Sequence, residues 1–272
     1  MASNDRSHVP VLADEVVRLL ATRPKGAYLD LTVGGGGHLK ALSGRLDAEA
    51  RLYGLDRDPE AAETARSGLS DVPQQVTIVN ASYADVESAV TRFGDRFFDG
   101  ILIDLGLSSL QLDDPGRGFT YRHDGPLDMR FDPRSEGPTA ADLVNTLGEK
   151  ELVDLLRTYG EESRARKLAA ALVRERQARM VLTTRQLADI VERVAPQREI
   201  NKTLARVFQA LRIAVNGELQ ALQSVLPALP GLLTDGGRLA IISYHSLEDR
   251  PVKRFIQYES RDCVCPPEVP VC

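Results

Sequence analysis

Tryptophan is absent from the 272-residue sequence, and its three cysteines, Cys263, Cys265 and Cys272, all fall within the last ten residues. A main body without thiols excludes a disulfide framework and suits a reducing compartment, so a cytoplasmic location is expected. Three thiolates are also one ligand short of a tetrahedral zinc site, and no metal is expected. Long hydrophobic runs are missing as well. Nothing approaches the roughly 18 apolar residues of a membrane helix. The stretch MASNDRSHVPVLADEVV has no apolar run ahead of its acidic residues, so no secretory leader is expected. Basic charge is not in excess: 34 Lys and Arg against 39 Asp and Glu give a net charge of −5, which excludes a uniformly basic coat for nucleic acid. With 43% hydrophobic and 27% charged residues, the composition is that of a soluble globular chain with a sizeable core.

What is present is an alternation of short apolar runs and helical periodicity. AYLDLTV (27–33), RLYGLD (51–56), QVTIVN (75–80) and FFDGILIDLG (97–106) read as buried strands. Helices are expected over HLKALSGRL, PEAAETARSGL and YADVESAVTRF between them. GRLAIISY (237–244) is a fifth strand, with a helix over LEDRPVKRFI after it. Such alternation predicts right-handed βαβ units and a parallel sheet covered on both faces. The rhythm breaks after the fourth strand. Residues 107–138 are rich in Gly, Pro and Asp and read as a long functional loop. Helical stripes follow: Leu152, Leu155, Leu156 and Tyr159; Leu168, Leu172 and Val173; Leu187, Ile190, Val191 and Val194. One longer helix is expected to carry Leu204, Val207, Phe208, Leu211, Val215, Leu219 and Leu222 on a single face. The expected organisation is an α/β core in residues 1–108, a loop with a helical insertion in 109–206, and the rest of the core with an irregular tail in 207–272.

Charge is unevenly spread. From Arg157 to Arg212 there are thirteen basic and six acidic residues, a net of +7 against −12 for the remainder. A solvated helical surface and a phosphate-facing patch both account for this.

The chemistry gathers where strands end. Gly34, Gly35, Gly36 and Gly37 follow the first strand and precede a helix, the place where an open parallel sheet receives nucleotide-like ligands. Asp56 ends the second strand, 22 residues after Gly34, where a carboxylate meets ribose hydroxyls. Both a dinucleotide and S-adenosylmethionine carry such a ribose. After Gly37 come His38, Leu39 and Lys40, so the GxGxxG register for a pyrophosphate is lacking, and Asp30 lies four residues before the glycines. Carboxylates there favour a cationic sulfonium with an amino-acid tail over a diphosphate.

The fourth strand ends in Asp104 and runs into LGLSSLQLDDPGRGFTYRHDGPLDMRFD. Together with HVPVL, TVGGGGH, NKTLARVFQALRIAVNGEL and ISYHSLEDRPVKRF, this segment resembles the bacterial 16S rRNA (cytosine-N4)-methyltransferase family, in order and in register from about His8 to Ile256. The resemblance implies a Rossmann-like class I S-adenosylmethionine-dependent methyltransferase with an inserted helical domain. It also implies N4-methylation of one cytidine in the decoding region of 16S rRNA within the small ribosomal subunit. By motif it assigns Gly36, Gly37 and His38 to the methionine side of S-adenosyl-L-methionine, Asp56 to its ribose and Tyr83 to its adenine, with Asp104 and Gln111 completing the set. Departures are small: Tyr83 where Phe is usual, Thr120 and Tyr121 where Ser and Phe are common, and Tyr244 where Phe is common.

Methyl transfer to an amine is an in-line displacement, so positioning should dominate. The cytosine amine is a weak nucleophile, and acceptors on its N–H groups stabilise the charge that develops. Asp104 is the side chain suited to that part. Phe119 and Tyr121 are candidates to stack on an exposed base, or alternatively a small core beneath the loop. His245, and Arg212 with Asn216 one turn apart, are further substrate candidates. Asp124 and Asp128 read as structural rather than metal-binding. Arg164, Arg166, Lys167, Arg174, Arg176 and Arg179 could reach rRNA phosphates. Neither a membrane nor an obligate protein partner is expected. Competing readings are a methyltransferase of the same core acting on a protein or small molecule, a non-catalytic ribosome-assembly factor, and a nicotinamide oxidoreductase.

Overall fold

The computed structural model describes residues 10–261. His8 and Val9 of the HVPVL string and all three cysteines lie outside the described residues. Five strands, β1 (Ala27–Asp30), β2 (Arg51–Asp56), β3 (Gln75–Asn80), β4 (Phe98–Asp104) and β5 (Leu233–Ile242), form one sheet in the order β3-β2-β1-β4-β5. Every pairing is parallel. Helices follow in chain order: α1 (Ala13–Leu20), α2 (Gly37–Ser43), α3 (Pro59–Gly68), α4 (Val86–Val90), α5 (Ser109–Asp113), α6 (Ala140–Thr146), α7 (Glu149–Thr158), α8 (Ala165–Ala178), α9 (Thr184–Val194), α10 (Ile200–Asn216), α11 (Glu218–Val225) and α12 (Ser246–Glu259). No helix among the described residues is long and apolar enough to cross a membrane.

The chain divides into two compact units. The first lies within Met1–Asp56, Ala62–Gly106 and Leu219–Cys272; the second comprises Arg57–Ala61 and Leu107–Glu218. In the first, the pleat sends alternate residues to opposite faces of the sheet. Ala27 and Leu29 of β1 join a core with Tyr53, Ile101, Ile103, Leu222, Val225 and Val252, whereas Tyr28 joins Leu39, Leu42, Leu52, Ala65 and Leu102 on the other side. Both faces are covered, which is why β1 and β4 read as near-continuous apolar runs.

The second unit is helical. Leu152, Leu155, Leu156, Leu168, Leu172, Leu187, Ile190 and Val191 are buried in its core, and Tyr159, Val173 and Val194 pack against it, so the expected stripes face one another. Its helices start at sequence-encoded caps: the hydroxyl of Thr139 accepts from the Asp142 amide and that of Thr183 from the Gln186 amide, each within a capping box.

Five elements differ from expectation. β3 is only part-buried, with Ile78 its one buried residue, and the 107–138 loop carries the short helix α5. The stripe from Leu204 to Leu222 is not one helix: α10 stops at Asn216, because Gly217 takes a left-handed conformation (φ 63°) as its C-cap, and α11 starts afresh. β5 begins at Leu233 and ends at Ile242, because Leu233 pairs with Phe98 ahead of a register shift, which leaves Tyr244 beyond the strand. The expected helix over YADVESAVTRF is a 3₁₀ turn, Tyr83–Asp85, running into the five-residue α4.

Candidate functional site

The carboxyl ends of β1, β2 and β4, three adjacent strands, carry Asp30, Asp56 and Asp104. Between β1 and α2 the glycine turn closes tightly. Gly36 has a left-handed φ of 85°, a conformation that favours glycine, and a Cβ there would also press on the Leu69 side chain at 3.2 Å. The Gly34 amide donates to Asp56 Oδ2 at 2.8 Å, and Asn80 Nδ2 donates to the Asp56 carbonyl at 2.8 Å. Tyr83 stands just after β3 in its 3₁₀ turn, half-buried against the core of this unit.

Asp30 is completely buried. Its Oδ1 accepts from the Thr32 amide at 3.0 Å, while Oδ2 has no hydrogen-bond partner among the described residues. Burial pushes its carboxyl up to about 7; His38 and the Thr32 amide oppose that rise, and the neighbouring Asp104 and Asp56 add to it. The Thr32 hydroxyl accepts from the Asp104 amide at 2.7 Å, tying the ends of β1 and β4 together. His38, in the first turn of α2, is buried with its Nε2 3.4 Å from Asp104 Oδ2, and neither ring nitrogen makes a hydrogen bond among the described residues. From beyond β5 the Tyr244 hydroxyl donates to Asp104 Oδ1 at 2.9 Å. Burial and the adjacent Asp104 carboxylate hold that phenol above its ordinary range.

His245 follows Tyr244 as the N-cap of α12. Its Nε2 sits 3.0 Å from Glu248 Oε1, close enough for an ion pair but outside hydrogen-bond geometry. Glu248 is buried, and its Oε2 accepts from the Tyr244 amide at 2.9 Å. Thr32, Tyr244 and Glu248 are thus site-forming residues that sequence reasoning passed over. Only Glu248 had a local signal, a glutamate in the first turn of a helix directly after a strand.

Other candidates belong to the second unit and are built into its framework. Gln111 is buried; its Oε1 accepts from the Ser108 amide in a capping box and its Nε2 donates to Asp58 Oδ2 at 2.9 Å, leaving one amide hydrogen for a ligand. The same Asp58 oxygen lies 2.8 Å from Arg117 Nη1, and Arg117 Nη2 donates to the carbonyls of Arg130 and Phe131. Phe119 is buried and stacks on Phe131, and Tyr121 packs edge-on against Phe208, so both rings serve the core of this unit. Asn216 accepts from the Phe131 amide and donates to the Met129 carbonyl. Arg212 pairs with Glu218 at 2.8 Å. Asp128 pairs with Arg130, and Asp124 accepts from the Arg185 amide.

The basic residues of α8 and its two caps, Arg164 and Arg179, divide into two groups. Arg164 pairs with Glu199 at 2.6 Å, and Arg176 donates to the Val144 carbonyl. Arg166, Lys167, Arg174 and Arg179 are exposed, and no ion pair holds them among the described residues. Lys167 and Arg174, seven residues apart, share one face, with Arg166 on its flank.

A parallel sheet of this strand order, with a glycine turn after β1 and a carboxylate ending β2, defines a Rossmann-like fold of the cofactor-binding type. Residues 5–272 match the sequence model of the MraW methylase family, and the chain belongs to that family. The ribosomal RNA small subunit methyltransferase H of Heliobacterium modesticaldum is 46% identical over 269 residues, which cover 97% of this chain and 86% of that protein. The protein of the same name from Thiobacillus denitrificans is 47% identical over 266 residues, 97% of this chain and 84% of its own length. Among solved structures, the Aeropyrum pernix fibrillarin complex with S-adenosyl-L-methionine aligns at 11% identity over 57% of this chain and 58% of its own, with a TM-score of 0.29. The fold assignment rests on the strand order and not on that likeness.

Proposed function

We propose that this protein transfers the methyl group of S-adenosyl-L-methionine to the N4 amine of a cytidine in the decoding region of 16S rRNA, acting in the cytoplasm on the small ribosomal subunit. The observation that carries the reading is the cluster of polar groups at the ends of β1, β2 and β4. There Asp30, fully buried and with no hydrogen-bond partner for Oδ2 among the described residues, stands with Asp56, Asp104 and His38, whose buried ring nitrogens make no hydrogen bond among those residues. Buried polar atoms left without partners call for a polar ligand. Three carboxylates suit a cationic one, such as a sulfonium bearing an ammonium group, better than an anionic diphosphate.

In this reading Gly36, Gly37 and His38 hold the methionine portion, Asp56 the ribose hydroxyls and Tyr83 the adenine, with Gln111 and Asp104 closing the set. When bound, the cofactor supplies an activated methyl group. The protein's own part is to orient. Asp104 accepts an N–H of the exocyclic amine, which frees nitrogen lone-pair density and stabilises the charge that develops. No strong base is required, because the product sheds its proton readily. His245, at the same strand ends, is the further substrate contact. In the second unit, Phe119, Tyr121, Arg212 and Asn216 hold the 117–131 loop and its helical support in shape. Residues 109–206 recognise rRNA, with Arg166, Lys167, Arg174 and Arg179 contacting phosphates. The net charge of −5 favours an assembled particle over naked RNA as substrate, since shape must supplement a modest electrostatic attraction.

The test is transfer of labelled methyl groups to small ribosomal subunits lacking the modification, with naked rRNA alongside and nucleosides separated after digestion. Label in N4-methylcytidine from the particle is expected. Cofactor binding without label in any nucleoside would redirect the activity to a protein or small-molecule acceptor, or to an assembly role.

A further inference from the structure

Tyr244 occupies an unusual position in the site. It lies two residues beyond β5, yet it reaches across to β4, where its hydroxyl donates to Asp104 Oδ1 at 2.9 Å. The other carboxylate oxygen, Oδ2, faces His38 Nε2 at 3.4 Å without a hydrogen bond. The ring lies beside Gly106, where an added Cβ would come 3.4 Å from Cδ2. The tyrosine amide is fixed as well, donating to the buried Glu248 at 2.9 Å. Backbone amide and hydroxyl are therefore both anchored, while 54% of the residue remains exposed. A large aromatic that is both immobilised and open is a preorganised platform: it loses little side-chain freedom when a flat partner covers it.

We infer that Tyr244 is a positioning residue for the methyl acceptor: its hydroxyl sets the orientation of the Asp104 carboxylate, and its exposed ring face receives the planar base whose exocyclic amine that carboxylate engages. The inference rests on the cytidine-methylating reading above and adds to it a residue that acts through Asp104 and through stacking. The two contributions separate by substitution. Tyr244→Phe keeps the ring and removes only the hydroxyl. Tyr244→Leu removes both.

Three quantities decide the matter for wild type and the two variants: the Kd for S-adenosylhomocysteine, and kcat and KM for small ribosomal subunits at saturating cofactor. Tyr244→Phe is expected to lower kcat about tenfold, the loss of one hydrogen bond to a charged acceptor, with KM and the Kd for S-adenosylhomocysteine within twofold of wild type. Tyr244→Leu is expected to show the same fall in kcat and, in addition, a KM raised about tenfold, the scale of one base–aromatic stack. Unchanged Kd values also establish that both variants are folded. An unaltered kcat in Tyr244→Phe, or an effect confined to the Kd for S-adenosylhomocysteine, would overturn the inference while leaving cytidine methylation standing. A wild-type protein that labels no cytidine would overturn the functional reading and this inference with it.

Discussion

The amide of Gly34 donates to the carboxylate of Asp56 at 2.8 Å, so the glycine turn after β1 is held by the very side chain that the proposed ribose contact requires. Removing that carboxylate therefore disturbs the turn as well as the ligand. Asp56→Ala is expected to weaken S-adenosylhomocysteine binding more than tenfold and to lower stability by about 1–3 kcal/mol, the cost of leaving a part-buried donor unpaired. Asp56→Asn, which keeps an acceptor oxygen for Gly34, should retain most of the stability and lose mainly affinity. Calorimetric titration and urea unfolding of the two variants separate these effects.

The buried Asp30 makes stability depend on pH in a defined sense. Its carboxyl titrates near 3.8 when unfolded and at about 7 in the folded protein. Between those values the folded state holds the extra proton, so this group's contribution to stability falls as pH rises from about 4 to about 7 and is flat above. The displacement corresponds to on the order of 4 kcal/mol. Asp30→Asn removes the dependence, so the variant should gain on wild type between pH 5 and pH 8 in chemical denaturation. A stability difference that stays constant across that range would show that Asp30 is not its source.

Arg117 and Asp58 form a buried pair, with the arginine fork also satisfying the carbonyls of Arg130 and Phe131. Truncating one member strands the other charge, which costs about 3–5 kcal/mol. Arg117→Ala should therefore unfold at much lower urea. Arg117→Lys keeps the charge but cannot serve the two carbonyls from the same group, and an intermediate midpoint is expected.

The exposed basic face of α8 predicts a salt effect. Replacing Arg166, Lys167 and Arg174 together by Ala should raise KM for the ribosomal particle and flatten the logarithmic dependence of binding on salt by about 2, since each phosphate contact contributes roughly 0.7–0.9 to the slope. Circular dichroism and S-adenosylhomocysteine affinity should not change. An unaltered slope would place the rRNA contact elsewhere.

Much of this architecture was legible in the chain because one physical signal dominated each part. β1, β2 and β4 are short apolar runs buried on both faces, and the glycine turn and Asp56 stand at strand ends whose spacing alone suggests a nucleotide-like ligand. The break at Gly217 was hidden because the apolar period runs straight through it. Leu204, Val207, Phe208 and Leu211 feed the core of the helical unit, whereas Leu222 feeds the core of the sheet, and periodicity does not say which core a residue enters. The partners of Asp104 were hidden for a different reason. Tyr244 is 140 positions away, and only parallel pairing of β4 with β5 brings the two strand ends side by side. Phe119 and Tyr121 sit in a polar stretch that suggests exposure, but their rings meet Phe131 and Phe208, 12 and 87 positions away, and local polarity does not report such contacts.

The insertion between β4 and β5 also sets a timetable for synthesis. Ile101 pairs with Leu239, so the sheet waits for 138 further residues before its last neighbour exists. At roughly 5–20 residues per second, that is on the order of 10 s during which β4 has an unpaired edge on a growing chain. The helical unit, which comprises Arg57–Ala61 and Leu107–Glu218, emerges complete within the interval. Tyr244 and His245 leave the ribosome after it, so the Tyr244–Asp104 contact is the last part of the sheet edge to be assembled.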